Sequence, residues 1–382
     1  MSFDLDQLFD RAHSGSKKWD QYPDDVLPMW VADMDFAMAP AVIEALRARL
    51  EHPLIGYSAP QASLRQTLVE ALWTHYAWRI EPADLVFLPG AIPGVNMALN
   101  GLLPKGAGVV VQTPNYQPLR VAPGHWQLPT IELPFKVDVN GHYPTDLAAL
   151  GEALKGAGAL LFSNPHNPIG KVFEREELHG IAQACLDADA LIISDELHAD
   201  VLYDGRRHVP IASLSAEIAE RCVTVMSASK AYNIAGLKTA FAVVQNPLLR
   251  KRMSAAGMGL VDSVNALGLE ATEAAYGKAG DWLVAMQAYL QANRNYLVQA
   301  VRTRLPGVSM TTPQGTYLAW LDCSALGLDD PQRFFLEKAK VALSGGPEFG
   351  PGLEQFARLN FGCPRALLEE GLARMEKALQ TL

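Results

Sequence analysis

The sequence predicts an α/β protein: a large domain on a mostly parallel sheet flanked by helices, followed by a smaller α+β domain. Three observations carry this prediction. Short apolar runs, nearly free of charge, recur along the first two thirds of the chain. Helical patterns lie between them, and the texture changes near residue 275. Strands without charge are buried on both faces, as in parallel sheets. Their alternation with helices leads to an open α/β sheet.

The first 45 or so residues hold no complete α/β unit, so they are expected to pack on the second domain or cover a site. Strands are expected at Leu85–Leu88, Gly108–Gln112, Ala159–Phe162, Ala190–Ser194, Val223–Met226 and Thr239–Val244. Helical patterns at Gly94–Leu103, Glu174–Asp187 and Pro247–Ala256 separate them. Asp281–Leu305 then reads as a long amphipathic helix, because Leu283, Met286, Leu290, Leu297, Val301 and Leu305 fall on one face. A strand at Thr316–Leu321, a helix near Pro331–Lys340, a strand at Phe356–Phe361 and a helix from Pro364 complete the smaller unit. The expected division is an N-terminal segment 1–45, a large domain 46–275 and a small domain 276–382.

The 382 residues are 49% hydrophobic and 19% charged, an ordinary globular balance with ample chain for a large core. A net charge of -9 argues against a nucleic-acid or anionic-membrane surface. Cys185, Cys222, Cys323 and Cys363 form no CxxC pair or metal-type cluster, so they read as reduced, buried thiols in a reducing compartment. Met1–Asp10 lacks the basic start and apolar run of a leader, and no segment is apolar enough to span a bilayer. A cytoplasmic protein is expected. Neither HExxH nor GxSxG occurs, and no GxGxxG follows a strand, which argues against zinc hydrolase, serine hydrolase and nicotinamide dehydrogenase chemistry.

Three strands end in polar residues. One runs into Ser163-Asn-Pro-His-Asn-Pro-Ile-Gly170, one into Asp195-Glu-Leu-His198, one into Ser227-Ala-Ser-Lys230. Ligands of open α/β sheets bind beyond the carboxyl ends of strands. An aldehyde cofactor needs a lysine amine, its pyridinium nitrogen a carboxylate, and its phenolic oxygen a hydrogen-bond donor. Lys230, Asp195 and Asn167 supply these three. Pro89-Gly-Ala-Ile-Pro-Gly94 opens a helix whose free N–H groups suit a phosphate, and Ser227 and Lys238 add a hydroxyl and a charge.

These segments resemble fold-type I enzymes dependent on pyridoxal 5′-phosphate (PLP), in the class I/II aminotransferase family. Trp30-Val-Ala-Asp-Met-Asp-Phe36 and Arg358-Leu-Asn-Phe-Gly-Cys-Pro-Arg365 add similarity to its cystathionine β-lyase-like branch. The likeness runs from about residue 17 to 380. It implies the PLP-dependent transferase fold with a seven-stranded sheet, PLP as cofactor and a small amino acid as substrate. Lys230 is implied as the Schiff-base lysine and proton carrier, Asp195 as the pyridine partner, Tyr116 as the ring-stacking residue, and Asn167 as the contact to the ring oxygen. Ala91 and Ile92 amides, Ser227 and Lys238 are implied to hold phosphate, and Arg358 the substrate carboxylate. Ala32 lines the substrate side, and His198 stands where many aminotransferases carry tyrosine. Tyr57 is implied to reach the cofactor of the other subunit in a homodimer.

Arg120 stands where an aromatic residue is expected, which bears on the shape of the substrate pocket. Asp33 and Asp35 are expected to bond to backbone. The leading reading is β-elimination from a sulfur amino acid. An aminotransferase using the same residues, and a PLP-binding protein without turnover, are the rivals.

Overall fold

The computed structural model describes residues 3–138 and 141–382. Met1 and Ser2, part of the stretch read as lacking a leader, lie outside the described residues. The first strand, β1 (Leu27–Pro28), belongs to the N-terminal segment. Seven strands then form one sheet: β2 (Leu85–Leu88), β3 (Gly108–Thr113), β4 (Thr130–Pro134), β5 (Ala157–Ser163), β6 (Leu191–Asp195), β7 (Cys222–Met226) and β8 (Ala240–Val243). Their order is β2-β8-β7-β6-β5-β3-β4. All pairings are parallel except those of β8, which runs against both β2 and β7.

The remaining strands are β9 (Ser309–Met310), β10 (Leu318–Asp322), β11 (Val341–Ala342), β12 (Ser344–Gly345) and β13 (Phe356–Asn360). Four of them form an antiparallel sheet in the order β12-β13-β10-β9. The fifth, β11, pairs parallel with β1 and ties the N-terminal segment to this unit. The seven-stranded sheet lies within 46–275 and the four-stranded sheet within 276–382.

The uncharged strands are buried as their composition requires: β7 and β8 have no exposed position. Between the sheet and the helix Ala91–Leu102, Leu88, Val95, Leu99 and Val225 belong to one apolar cluster. That helix sits close because residue 94 is glycine, where a Cβ would fall 2.4 Å from Leu88 Cδ1. Cys185, Cys222, Cys323 and Cys363 are all free and buried. Among the described residues no helix is long and apolar enough to cross a membrane.

Several elements depart from the expectations. The edge strand β4 has only part-buried and exposed positions and carries Glu132, so it lacks the uncharged signature of its neighbours. Helices Pro40–Glu51 and Ala62–Tyr76 precede β2, the first strand of the seven-stranded sheet, and Ala266–Lys278 packs against both. The region expected as Pro331–Lys340 is a helical turn, Pro331–Phe334, followed by a wider π-helical turn, Phe335–Ala339. The strand expected from Thr316 starts at Leu318, because Thr316 adopts a φ of +65° that breaks extension.

Candidate functional site

The strand ends rich in polar residues prove to be neighbours. In the sheet β5, β6 and β7 are adjacent and parallel, with Ser163 in register with Asp195 and Asp195 with Val225. Parallel neighbours deliver their carboxyl ends to one rim, so Asn167, Asp195 and Lys230 meet there. Segment 30–34 and β13 close the rim from the other side. Between them lies a cavity of about 320 Å³. Ala32, Ala91, Ile92, Tyr116, Asn167, Asp195, His198, Lys230, Lys238 and Arg358 all line it.

Lys230 follows β7 and donates from Nζ to the Ala32 carbonyl at 2.8 Å. Burial lowers its ammonium pKa from 10.5 to about 8; Asp33 and Asp195 pull it up, while Arg358 and Lys238 push it down. Asp195 ends β6 and is buried, which raises its carboxyl from 3.8 to about 6. The Leu197 N–H at 3.2 Å and the charge on Lys230 restrain that rise. His198 is kept neutral, at about 3, by burial and by the cations Lys230 and Arg358. Its ring meets Tyr317 edge-on at 5.6 Å, and its buried Nδ1 has no partner among the described residues.

Arg358 comes from β13 and is only 4% exposed. It donates to Asn167 Oδ1 at 3.0 Å, to the Trp30 carbonyl at 2.7 Å and to Ser344 Oγ at 3.2 Å. Every one of these acceptors is neutral. Phe349 lies under the guanidinium at 4.9 Å. Among the described residues Arg358 has no carboxylate within ion-pair distance, and its Nε is buried without a partner. Burial lowers its pKa to about 10. A buried cation without an anion is costly unless a ligand supplies one.

Another part of the cavity lining is suited to an anion. Gly90, at φ +141°, turns β2 into the helix Ala91–Leu102. The first N–H groups of a helix have no intrahelical acceptor. Pro93 has none to offer, so Ala91 and Ile92 present the free donors. Lys238, in the left-handed region at φ +51°, adds an exposed cation.

Some positions differ from the expectations. Ser227 does not line the cavity: its hydroxyl is turned to the Thr239 carbonyl at 2.7 Å and accepts from the Ser229 N–H at 3.0 Å. Ser229 lines the cavity instead. The two hydroxyls flank Ala228 in Ser227-Ala-Ser229, and the expectation named Ser227 alone. Tyr57 does not depart from its expectation: meant to act at the other subunit's site, it is 93% exposed and does not line this chain's own cavity. Arg120 also stays out of it. It binds Glu132 at 2.7 Å and the Glu348 carbonyl at 3.2 Å, and so braces the turn that carries Phe349. Asp33 and Asp35 do not bond to backbone as expected. They hold side chains of the N-terminal segment: Arg11 bridges both, at 2.8 and 2.6 Å, and Lys18 reaches Asp35 at 2.6 Å.

The sequence matches the family described as aminotransferase class I and II over residues 24–375. It is 37% identical to cystathionine beta-lyase PatB of Bacillus subtilis, covering 98% of this chain and 99% of that protein. The fold superposes on OvoB with a TM-score of 0.95 at 40% identity, covering 100% of both chains. It superposes on cystalysin from Treponema denticola, which contains a pyridoxal 5′-phosphate cofactor, with a TM-score of 0.96 at 30% identity over 100% of each chain. The chain therefore belongs to the class I and II aminotransferase family.

Proposed function

We propose that the chain is a PLP-dependent carbon–sulfur β-lyase that cleaves cystathionine or related S-substituted cysteines to a thiol, pyruvate and ammonia. The observation that carries this reading is the buried guanidinium of Arg358, hydrogen-bonded only to neutral acceptors among the described residues and facing the same cavity as Lys230 and Asp195. A substrate carboxylate supplies the missing anion. The relatives named cystathionine beta-lyase support the reaction type.

The residues present fit the cofactor. Lys230 offers an amine for the aldehyde. Asp195 offers a buried carboxylate for the ring nitrogen, and Tyr116 an aromatic face. Ala91 and Ile92 amides, Ser229 and Lys238 surround the place for a phosphate, while Asn167 and His198 line the ring side. Bound there, PLP supplies an aldehyde that condenses with amines and a protonated ring that draws electrons from the substrate Cα.

The chain's own residues do the rest. Arg358 grips the substrate carboxylate in a planar two-pronged contact, with Asn167 fixing one of its prongs. Lys230, near pKa 8, is close enough to neutral to take a proton from Cα and give one back. Asp195 holds the proton of the ring nitrogen. A cation beside it returns its pKa toward the ordinary carboxylate range. His198 remains an uncharged neighbour. The thiol leaves from Cβ, and water completes the breakdown to pyruvate and ammonia.

The same reading includes a homodimer. Leu54, Ile55, Tyr57, Met258 and Leu260 are all more than half exposed, an apolar surface suited to a second copy. Tyr57 of the partner subunit would then complete the cofactor site. The reading also puts the protein in the cytoplasm, in keeping with its four free cysteines.

The test is incubation of purified, PLP-loaded protein with L-cystathionine. Pyruvate and free thiol in equal amounts are expected. Transfer of the amino group to a keto acid, without either product, would replace the lyase by the aminotransferase reading.

A further inference from the structure

Five consecutive carbonyls, from Trp30 to Met34, each accept a side-chain hydrogen bond. Trp30 O takes Arg358 at 2.7 Å, and Val31 O takes Asn360 Nδ2 at 2.7 Å. Ala32 O takes Lys230 at 2.8 Å and the Tyr317 hydroxyl at 3.2 Å. Asp33 O takes Lys18 at 2.9 Å and Asn360 Nδ2 at 2.8 Å. Met34 O takes Arg11 and Asn233, both at 3.2 Å. This stretch is not part of any strand. Its carbonyls are satisfied by side chains, as buried carbonyls must be by some partner.

Asn360 is the central fastener. It is 1% exposed and ends β13, two residues after Arg358. Residues two apart on a strand share a face, so Arg358 and Asn360 both point at the strap. One amide of Asn360 spans the carbonyls on either side of Ala32. Its Oδ1 accepts the Gly362 N–H at 2.7 Å, which fixes the amide's orientation. The carbonyl left between those two fastened groups is the one that holds the Lys230 amine.

We infer that Asn360 is a positioning residue for proton transfer: by clamping Val31 and Asp33 it sets where the Ala32 carbonyl holds the free amine of Lys230. This rests on the reading that Lys230 moves the Cα proton, and goes beyond it by naming what aims the amine. Arg358 is fastened to the same strap two carbonyls earlier. The grip on the substrate carboxylate and the dock of the base therefore share one rigid element. A misplacement of about 1 Å at such a point costs on the order of a hundredfold in rate.

The probe is exchange of the Cα proton of L-alanine for deuterium in D2O, followed by NMR on PLP-loaded protein. Alanine has no leaving group at Cβ, so the exchange reads proton transfer whichever overall reaction the enzyme performs. Asn360→Asp keeps the acceptor for Gly362 but turns a carboxylate toward the Val31 and Asp33 carbonyls. The maximal exchange rate is expected to fall by about tenfold or more. The half-saturating alanine concentration is expected to shift less than about threefold, because Arg358 retains Asn167 and Ser344. Borohydride treatment is expected to leave a full pyridoxyl label on Lys230, a result that a general loss of structure would not give. If Asn360→Asp does not fold, Asn360→Ser, which keeps one hydroxyl, decides the question with the same readouts. An exchange rate within about twofold of wild type, or a rate that falls only in proportion to the Lys230 label, overturns the inference. Wild-type exchange without pyruvate from cystathionine would sink the lyase reading and leave this one standing.

Discussion

Asp195, on the proposed reading the partner of the ring nitrogen, is buried at a cost in stability, and Asp195→Asn in the cofactor-free protein measures that cost. Burial raises its carboxyl from 3.8 to about 6. Between those values the folded protein binds more protons than the unfolded chain. Stability therefore falls as pH rises through this window, and the whole loss is present above it. A shift of about two units corresponds to roughly 3 kcal/mol. Asparagine has the same shape and still accepts from the Leu197 N–H, but it carries no charge to bury. With an unfolding entropy of about 2.1 cal/mol/K per residue over 382 residues, 3 kcal/mol is a rise of roughly 4 °C in Tm.

The assay is thermal unfolding of cofactor-free wild type and variant from pH 4 to pH 8. The variant is expected to be the more stable protein at pH 8, with the difference shrinking toward zero near pH 4. Loaded with PLP, the same variant is expected to lose turnover on the order of a hundredfold, as when one preorganised charge contact is removed. A variant no more stable than wild type at pH 8 would refute the reasoning, since the carboxylate would then carry no burial cost.

Three further outcomes are expected. Arg358→Met should lower kcat/KM on cystathionine by about a hundredfold, from two lost charge-assisted bonds, while Tm stays within a few degrees because no carboxylate partner is stranded; steady-state kinetics and calorimetry check both. Lys230→Ala should abolish the pyridoxyl label that borohydride leaves on the 227–238 segment of wild type, read by mass spectrometry of the peptides. Tyr57→Ala and Lys230→Ala, each impaired alone, should regain part of the activity when unfolded and refolded as a mixture, since a mixed dimer holds one intact shared site; no regain would argue against the shared site.

The legibility of the fold followed charge. Strands buried on both faces, such as Val223–Met226, stand out because nothing polar interrupts them. The edge strand Thr130–Pro134 has no such signature, since one edge and part of each face meet solvent. Helices Pro40–Glu51 and Ala62–Tyr76 were obscure for a related reason. Each buries only a narrow stripe, a single fully buried residue, Val42, in the first. In the site, residues that follow strand ends were legible, because the topology alone sends them to one rim. What sequence spacing could not settle was rotation. Ser227 and Ser229 flank Ala228, and only the packing of Ser227 against Thr239 turns the second hydroxyl to the cavity. The partners of Asp33 and Asp35 were equally hidden, because Arg11 and Lys18 reach them across a fold of the N-terminal segment that no local pattern encodes.

On the proposed reading the N-terminal segment and the small sheet are parts of the catalytic apparatus rather than its wrapping. Lys230 stands on the large sheet, yet its amine rests on a carbonyl of segment 30–34. Arg358 stands on the small sheet and rests on the same segment. Asp35, buried with Lys18 and reached by the half-buried Arg11, anchors that segment by charge. Partly solvated surface pairs contribute little, but breaking a buried pair strands a charge and is costly. Lys18 and Asp35 are 1% and 5% exposed at their side chains, so they belong to the costly kind. Their interaction therefore does more than fasten the chain's beginning. It holds in register an element that both Lys230 and Arg358 touch, so on the proposed reading the distance between substrate carboxylate and proton-carrying amine depends on residues 11–36.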